Sequence, residues 1–354
     1  MSFVEFPINL YCRIAPKRVE TLDLCRGEDD FRKVYIVDTD DGKLVIKNTS
    51  NTFSDRQRIE GWHKLMAAYR DLGIYCPLVL PNLNGETIHQ HIENGRDYYI
   101  FAEEFAKYET ADKKDKENLA GYEKNAWQPD ALRALGRVAN ARLKVMEHPS
   151  AYCLLKPFCP PDTMDETTEC AVRFTERVKN DFPEHAERTD KLLFLFEKNK
   201  SELEKVYSLL PTSCFQSDLG STNVLVDDKG SFMGLIDFNL CGREAVLNYA
   251  VRAALWLINE AALFGDNNSR LYLYDSKLDR LRDELFIKNI GYIQEEYAFD
   301  ETERAVFPTL FRYMNTYWWY HIDELEHLDG NVEKAGRILD WLQYQMTRDD
   351  IRLP

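Results

Sequence analysis

Cys214-Phe215-Gln216-Ser217-Asp218-Leu219-Gly220-Ser221-Thr222-Asn223, followed by the run Val224 to Ile236 and then Asp237-Phe238, is the stretch on which the fold turns. Apolar residues at 224–226 and 232–236 flank Asp227-Asp228-Lys229-Gly230, a turn composition, so the segment predicts a β-hairpin. Antiparallel pairing brings positions 223 and 237 opposite each other within a residue or two. Asp218, Asn223 and Asp237 then converge at one end of the hairpin. Hard cations such as Mg²⁺ take oxygen ligands, few of them from protein and the rest from phosphates and water. Asn223 and Asp237 meet that need, and Asp218 stays free to orient a hydroxyl nucleophile.

Upstream of this stretch the chain reads as strands with one helix. Segments 19–25, 33–38, 43–48, 87–92 and 97–105 are rich in β-branched and aromatic residues, with Asp40-Asp41-Gly42 and Glu93-Asn94-Gly95 as turns between them. Apolar residues at 59, 62, 66 and 69 recur with a helical period over 55–72. After residue 107 the character changes. The run KYETADKKDKENLAGYEKNAWQPD reads as a solvated connection, and the remainder is mainly helical. Leu132, Leu135, Ala139, Leu143 and Met146 mark one amphipathic helix. The segment 245–264 is apolar all round, and further helices are expected over 277–297, 301–325 and 331–347.

Composition removes several function classes. The 354 residues carry 45 Lys and Arg against 60 Asp and Glu, a formal charge of −15, which argues against nucleic acid as a partner. No apolar stretch approaches the ~20 residues that a membrane span needs, and the first residues lack the basic and apolar regions of a signal peptide. The eight Cys form no CxxC pair or zinc spacing, so a reduced, cytoplasmic protein is expected. Neither GxGxxG nor GxxxxGK[ST] occurs, which excludes the common dinucleotide and P-loop folds.

The order D-x-x-x-x-N followed by a strand-borne I-D-F resembles the kinase-like phosphotransferases, and most closely the aminoglycoside phosphotransferase and choline kinase group. The resemblance runs from about residue 20 to 320. It implies a two-lobed α+β protein-kinase-like fold, with a β-rich nucleotide-binding lobe at 1–107 and a helical catalytic and acceptor-binding lobe at 108–354. It implies ATP (GTP not excluded) and Mg²⁺ as cofactors, and transfer of the γ-phosphate to a hydroxyl of a small molecule. Asp218 becomes the catalytic carboxylate, with Asn223 and Asp237 as metal ligands. Lys47, in Leu44-Val45-Ile46-Lys47, matches the lysine on the nucleotide phosphates, and Glu60 the glutamate that holds that lysine. The backbone near Glu104 and Ala106 would bond the purine.

The chain departs from the family pattern at three places. Gln216 stands where the family has His, Asn248 is the nearest candidate for a further Asp, and the presumed phosphate loop Arg26-Gly27-Glu28-Asp29-Asp30-Phe31 is acidic. These departures keep open a non-catalytic nucleotide-binding module. A protein kinase is the other alternative, opposed by the absence of D-F-G and A-P-E. Tyr313, Tyr317, Tyr320 and Glu324 would share one face of the 301–325 helix. Such a stripe reads first as core, and otherwise as a pocket for a cationic acceptor. His89, His91, His321 and His327 lack metal spacing and read as ordinary histidines.

Overall fold

A computed structural model describes residues 5–117, 121, 123–258 and 274–354. Six strands form the first sheet: β1 (Arg18–Asp23), β2 (Phe31–Thr39), β3 (Gly42–Ser50), β4 (Val79–Leu80), β5 (His89–Glu93) and β6 (Arg96–Glu104). Their order is β1-β2-β3-β6-β4, with β5 also on β6, and every pairing is antiparallel. Strand alternation sorts the side chains onto two faces. Tyr35, Val37, Ile46, Ile100 and Ala102 form a small core with Ile8 of the short helix α1 (Glu5–Asn9). The opposite face carries Lys47, which pairs in register with Phe101. Asn94 and Gly95 both take positive φ, as a two-residue hairpin turn requires, and set Glu93 opposite Arg96.

Helix α2 (Arg56–Asp71) covers that second face. The side chain of Asp55 caps it by accepting the N–H of Arg58 at 2.8 Å. Its buried stripe of Ile59, Trp62, Leu65, Met66 and Tyr69 belongs to the same hydrophobic core as the helices that follow, so α2 joins the sheet to the rest of the molecule. A second tie is backbone: Leu235 N–H bonds Tyr75 O at 2.9 Å. A Cβ on Gly234 would lie 1.9 Å from that same oxygen, which is why glycine stands there.

Two small sheets carry the loop segments of the second half. Strands β7 (Glu109–Thr110), β9 (Val224–Val226) and β10 (Phe232–Leu235) form one, and β8 (Thr212–Phe215) pairs with β11 (Gly242–Ala245) in the other. The expected hairpin is therefore present. The expected solvated connection differs, since Glu109–Thr110 pairs with β9 and leads into helix α3 (Ala111–Glu117). Lys114 there is buried, bonded to Asp228 at 3.0 Å. A two-residue strand leaves no periodic trace in the sequence, and charge alone misread it.

The remaining helices are α4 (Gln128–Ala141), α5 (Glu166–Asp181), α6 (Ala186–Tyr207), α7 (Val246–Trp256), α8 (Ser276–Gln294), α9 (Glu301–Met314), α10 (Trp319–Glu326) and α11 (Val332–Thr347). Every residue of α7 from Val246 to Ala254 is buried, as an all-round apolar helix requires, while 259–264 of the expected helix lie outside the described residues. Helix α4 stops short of Leu143 and Met146 because Arg142 adopts left-handed φ.

The single helix expected over 301–325 is two. Asn315 ends α9 and donates to Gln345 at 3.0 Å, and a new helix starts at Trp319. The break separates the tyrosines. Tyr313 is buried against Phe196 and bonded to Asp165 and Thr168, and Tyr317 packs between Phe174 and Phe196. Both are core, and only Tyr320 reaches a cavity. Among the described residues, no helix is long and apolar enough to cross a membrane.

Candidate active site

The loop between β8 and β9 holds Asp218, and Gln216 shapes it. The Gln216 Oε1 accepts the N–H of Asp218 at 2.8 Å, while its Nε2 donates to Ile236 O at 3.0 Å and Asp237 O at 2.7 Å. Its backbone N–H bonds the hydroxyl of Tyr69 on α2 at 3.0 Å. One buried amide thus joins the loop, the end of β10 and the first-half helix. Ser217 and Asp237 both hold positive φ, 71° and 56°, a conformation that costs energy in non-glycine residues unless surrounding bonds enforce it. The three side-chain bonds of Gln216 span both positions and supply that enforcement.

Asn223 closes the loop from the other side. Its Nδ2 donates to Asp218 O at 3.1 Å, and its backbone oxygen accepts Ile236 N–H at 3.0 Å. Position 223 therefore faces 236, one residue from the expected register, and Asp237 follows immediately. With Nδ2 spent on the backbone, Asn223 keeps Oδ1 for another partner. The carboxylate of Asp237 makes no hydrogen bond or ion pair among the described residues. It instead acts through space: burial first, then the charge of Asp237, push the Asp218 carboxyl above its ordinary range. A cation between Asn223 Oδ1 and Asp237 would relieve that repulsion. Two oxygen donors from protein suit Mg²⁺, which fills its remaining positions with water and phosphate.

Lys47 lies across from Asp237 in a cavity of about 90 Å³ that is also lined by His63, Phe101 and Glu103. Its Nζ is 3.0 Å from Glu103 Oε1. Burial works against the ammonium, yet Glu103 and Asp237 outweigh it and hold the lysine pKa above its usual value. The pairing expected of Glu60 is therefore made by Glu103. Glu60 is exposed on α2, between buried Ile59 and Gly61, and makes no ion pair with Lys47 among the described residues. Glu103 shares parity with Phe101, the register partner of Lys47, and so shares its face. What α2 turns toward Lys47 is His63, whose pKa falls to about 4 through burial and then the lysine charge. It is a neutral imidazole at pH 7.

The segment joining the halves offers backbone groups. Glu104 N–H is taken by Leu78 O at 2.8 Å, and Glu104 Oε1 accepts the hydroxyl of Tyr75 at 3.1 Å. Ala106 N–H has no partner among the described residues and remains available. In the acidic turn between β1 and β2, Asp30 is pinned by Arg32 at 2.7 Å and Asn51 at 3.2 Å. One of the three carboxylates is thereby neutralised.

On the other side of Asp218 a small concavity is lined by Tyr152, Tyr249, Arg252 and Trp256. The Arg252 guanidinium is stacked 4.1 Å above Tyr152 and 4.9 Å above Trp318, and pairs with Glu166 at 3.3 Å. Asn248 does not reach the Asn223–Asp237 pair. It is fully buried and donates to Tyr152 O at 3.0 Å and to Glu244, which also accepts from Ser150.

A family model described as the phosphotransferase enzyme family matches residues 23–282. The chain belongs to that family. Among solved structures, an amicoumacin kinase in complex with AMP-PNP and Ca²⁺ superposes on this phosphotransferase with a TM-score of 0.55 at 13% identity, over 97% of this chain and 92% of that one. That likeness shows the two-lobed kinase-like fold. A microcompartment-associated aminopropanol kinase gives a TM-score of 0.46 at 13% identity, over 97% and 94% of the two chains. A spectinomycin phosphotransferase gives 0.47 at 14%, over 96% and 92%. Comparison with curated proteins finds no match.

Sequence reasoning missed Glu103, His63 and Arg252 as site residues of this phosphotransferase. For Glu103 a signal existed, since it stands two residues from Phe101 in a strand. His63 and Arg252 are set by how α2 and α7 rotate onto the core, which no local pattern displays.

Proposed function

We propose that this chain moves the γ-phosphate of a Mg²⁺-bound ATP, or of GTP, to a hydroxyl of a small molecule. The observation that carries the reading is the Gln216 clamp, which holds Asp218 and Asp237 in fixed relation, beside an Asp237 carboxylate that makes no hydrogen bond or ion pair among the described residues. Phosphoryl transfer asks the protein mainly for positioning and charge neutralisation. Lys47, steadied by Glu103, meets the nucleotide phosphates. Asn223 and Asp237 hold the metal ion, which when bound neutralises charge on the phosphate oxygens. Asp218 accepts the hydrogen bond of the attacking hydroxyl and aligns it, its basicity raised by burial. Ala106 N–H reads the purine edge. The strand-rich residues up to about 107 serve the nucleotide, and the helical remainder serves the acceptor.

Two features support turnover over a silent nucleotide module. The Gln216 amide makes the bonds that rigidify the loop, so the missing His leaves no gap. Asn248 is spent on Tyr152 O and Glu244, away from the pair of proposed metal ligands. A protein kinase fits less well, because only Phe238 to Cys241 separate Asp237 from β11, too short to dock a peptide.

The test is transfer of labelled γ-phosphate from Mg-ATP and Mg-GTP to a panel of amino sugars, aminoglycosides, amino alcohols, sugars and aryl alcohols. Asp218→Ala is expected to lower the rate at least a hundredfold and leave nucleotide affinity within threefold. Retention of more than about a tenth of the rate, a loss under about 1.4 kcal/mol, would remove Asp218 from the catalytic role.

A further inference from the structure

The cavity that holds Lys47 has four basic side chains in its wall, Arg32, Lys33, Lys47 and His63. Three are cations that already meet a carboxylate: Arg32 with Asp30 at 2.7 Å, Lys33 with Asp23 at 3.4 Å and Lys47 with Glu103 at 3.0 Å. His63, on α2, is the one of the four with no polar partner among the described residues, and its Nε2 is buried. Its ring stands edge-on to Phe101 with centroids 5.5 Å apart, and the Lys47 ammonium lies 5.8 Å from the centroid of that same ring. Imidazole and ammonium are thus set around one buried aromatic side chain. We infer that His63 is a second phosphate-binding residue for the nucleotide, donating to a phosphate oxygen beside Lys47 and taking up a proton as the phosphates arrive. This rests on the phosphotransferase reading and deepens it, adding a nucleotide ligand and a pH dependence.

Charge balance calls for such a group. Asp30, Asp23 and Glu103 offset the three cations, and Asp237 adds a further carboxylate to the wall. A polyphosphate entering this site brings more negative charge, and a metal ion on Asn223 and Asp237 offsets only part of it. In the free protein burial, and then the charge of Lys47, lower the His63 pKa to about 4 and keep the ring neutral. Phosphate oxygens beside the ring reverse that balance. They supply the partner that Nε2 lacks and a negative charge that favours the imidazolium. Histidine is suited to this because its charge changes near neutral pH after a modest shift. The proton comes from solvent, and no other bond is made or broken.

The experiment is titration calorimetry of the full chain with Mg-AMP-PNP, in two buffers of different ionisation enthalpy at each pH from 6 to 8. The difference between buffers counts the protons taken up on binding. With the bound imidazole restored to its ordinary pKa of about 6.5, wild type should take up about half a proton or more beyond His63→Gln at pH 6. The excess should vanish by pH 8, and wild-type affinity should fall about fourfold over that range relative to the variant. Every other titrating group, the nucleotide included, is common to both proteins and cancels. The ring resonance of His63 in wild type reads the same change without a substitution. It should stay neutral from pH 5 to 8 in the free protein and charge between pH 6 and 7 once Mg-AMP-PNP is bound. Equal proton counts in the two proteins, or a ring that stays neutral with nucleotide bound, overturn the inference. The phosphotransferase reading fails separately, by absence of γ-phosphate transfer across the whole panel.

Discussion

The Nε2 of Gln216 donates to the backbone oxygen of Asp237 across 2.7 Å, twenty-one residues further along the chain. That bond joins the residue beside the proposed base to the residue proposed to hold the metal, so their spacing does not depend on two independent loops. The same amide accepts the Asp218 N–H, and it is 1% exposed. Loss of the side chain leaves several buried polar groups unpaired at once.

Gln216→Leu is therefore expected to lower stability by about 2–4 kcal/mol, from three lost bonds and the stranded carbonyls. Phosphate transfer should fall at least tenfold as Ser217 and Asp237 relax from positive φ. Urea unfolding and transfer rates on one preparation check both, and an active variant of unchanged midpoint would show that the clamp is dispensable.

Two glutamates compete for the role of lysine partner, and they give opposite expectations. Glu103→Ala leaves the half-buried Lys47 ammonium without its 3.0 Å partner and should weaken Mg-nucleotide binding about tenfold, a change of about 1.4 kcal/mol. Glu60→Ala, on the exposed side of α2, should stay within twofold. Equilibrium nucleotide titration of both variants decides, and a larger loss for Glu60 would reverse the assignment.

The metal assignment predicts a different signature. Asp237→Asn and Asn223→Leu should each raise the Mg²⁺ concentration needed for half-maximal nucleotide binding at least fivefold. Affinity measured in EDTA should barely move. Unchanged Mg²⁺ dependence in both variants contradicts the pair.

The lettering D-x-x-x-x-N and I-D-F was legible because a hairpin is a local object. Its turn residues and strand lengths fix which positions meet, and the structure sets 223 opposite 236, one residue from the reading. The strands and α2 were legible for the same reason, from period and turn chemistry. Lys47 and its partner were half legible. The lysine is announced by the end of a β-run, but its partner depends on cross-strand register, and two adjacent glutamates at 103 and 104 point to opposite faces. The tyrosine stripe, read first as core, is core at Tyr313 and Tyr317, but its single face was not legible, because helical spacing assumes an unbroken helix and Asn315 ends α9 between them. Arg252 reads as one polar residue in an apolar helix. Only tertiary packing against Tyr152 and Trp318 gives it a place beside Asp218.

Glu244 gives the pH dependence that separates this core from an ordinary one. Burial lifts its pKa to about 7 against an ordinary value of 4.5, while the Ser150 hydroxyl and then the Arg252 charge pull the other way. The native state therefore holds a proton that the unfolded chain has released between pH 4.5 and 7. The stability that this proton contributes is complete below 4.5 and is lost as pH rises through about 7, a difference of about 3 kcal/mol by linkage. Glu244→Gln keeps the shape and a hydrogen-bonding amide for Ser150 and Asn248, and never ionises. The variant should match wild type near pH 5 and exceed it by about 1–3 kcal/mol at pH 8. Asp218 and Glu166, which are also raised, remain in both proteins, so the difference between the two urea curves isolates Glu244. Parallel curves from pH 5 to 8 would mean that Glu244 is ionised throughout and that its charge is met inside the fold.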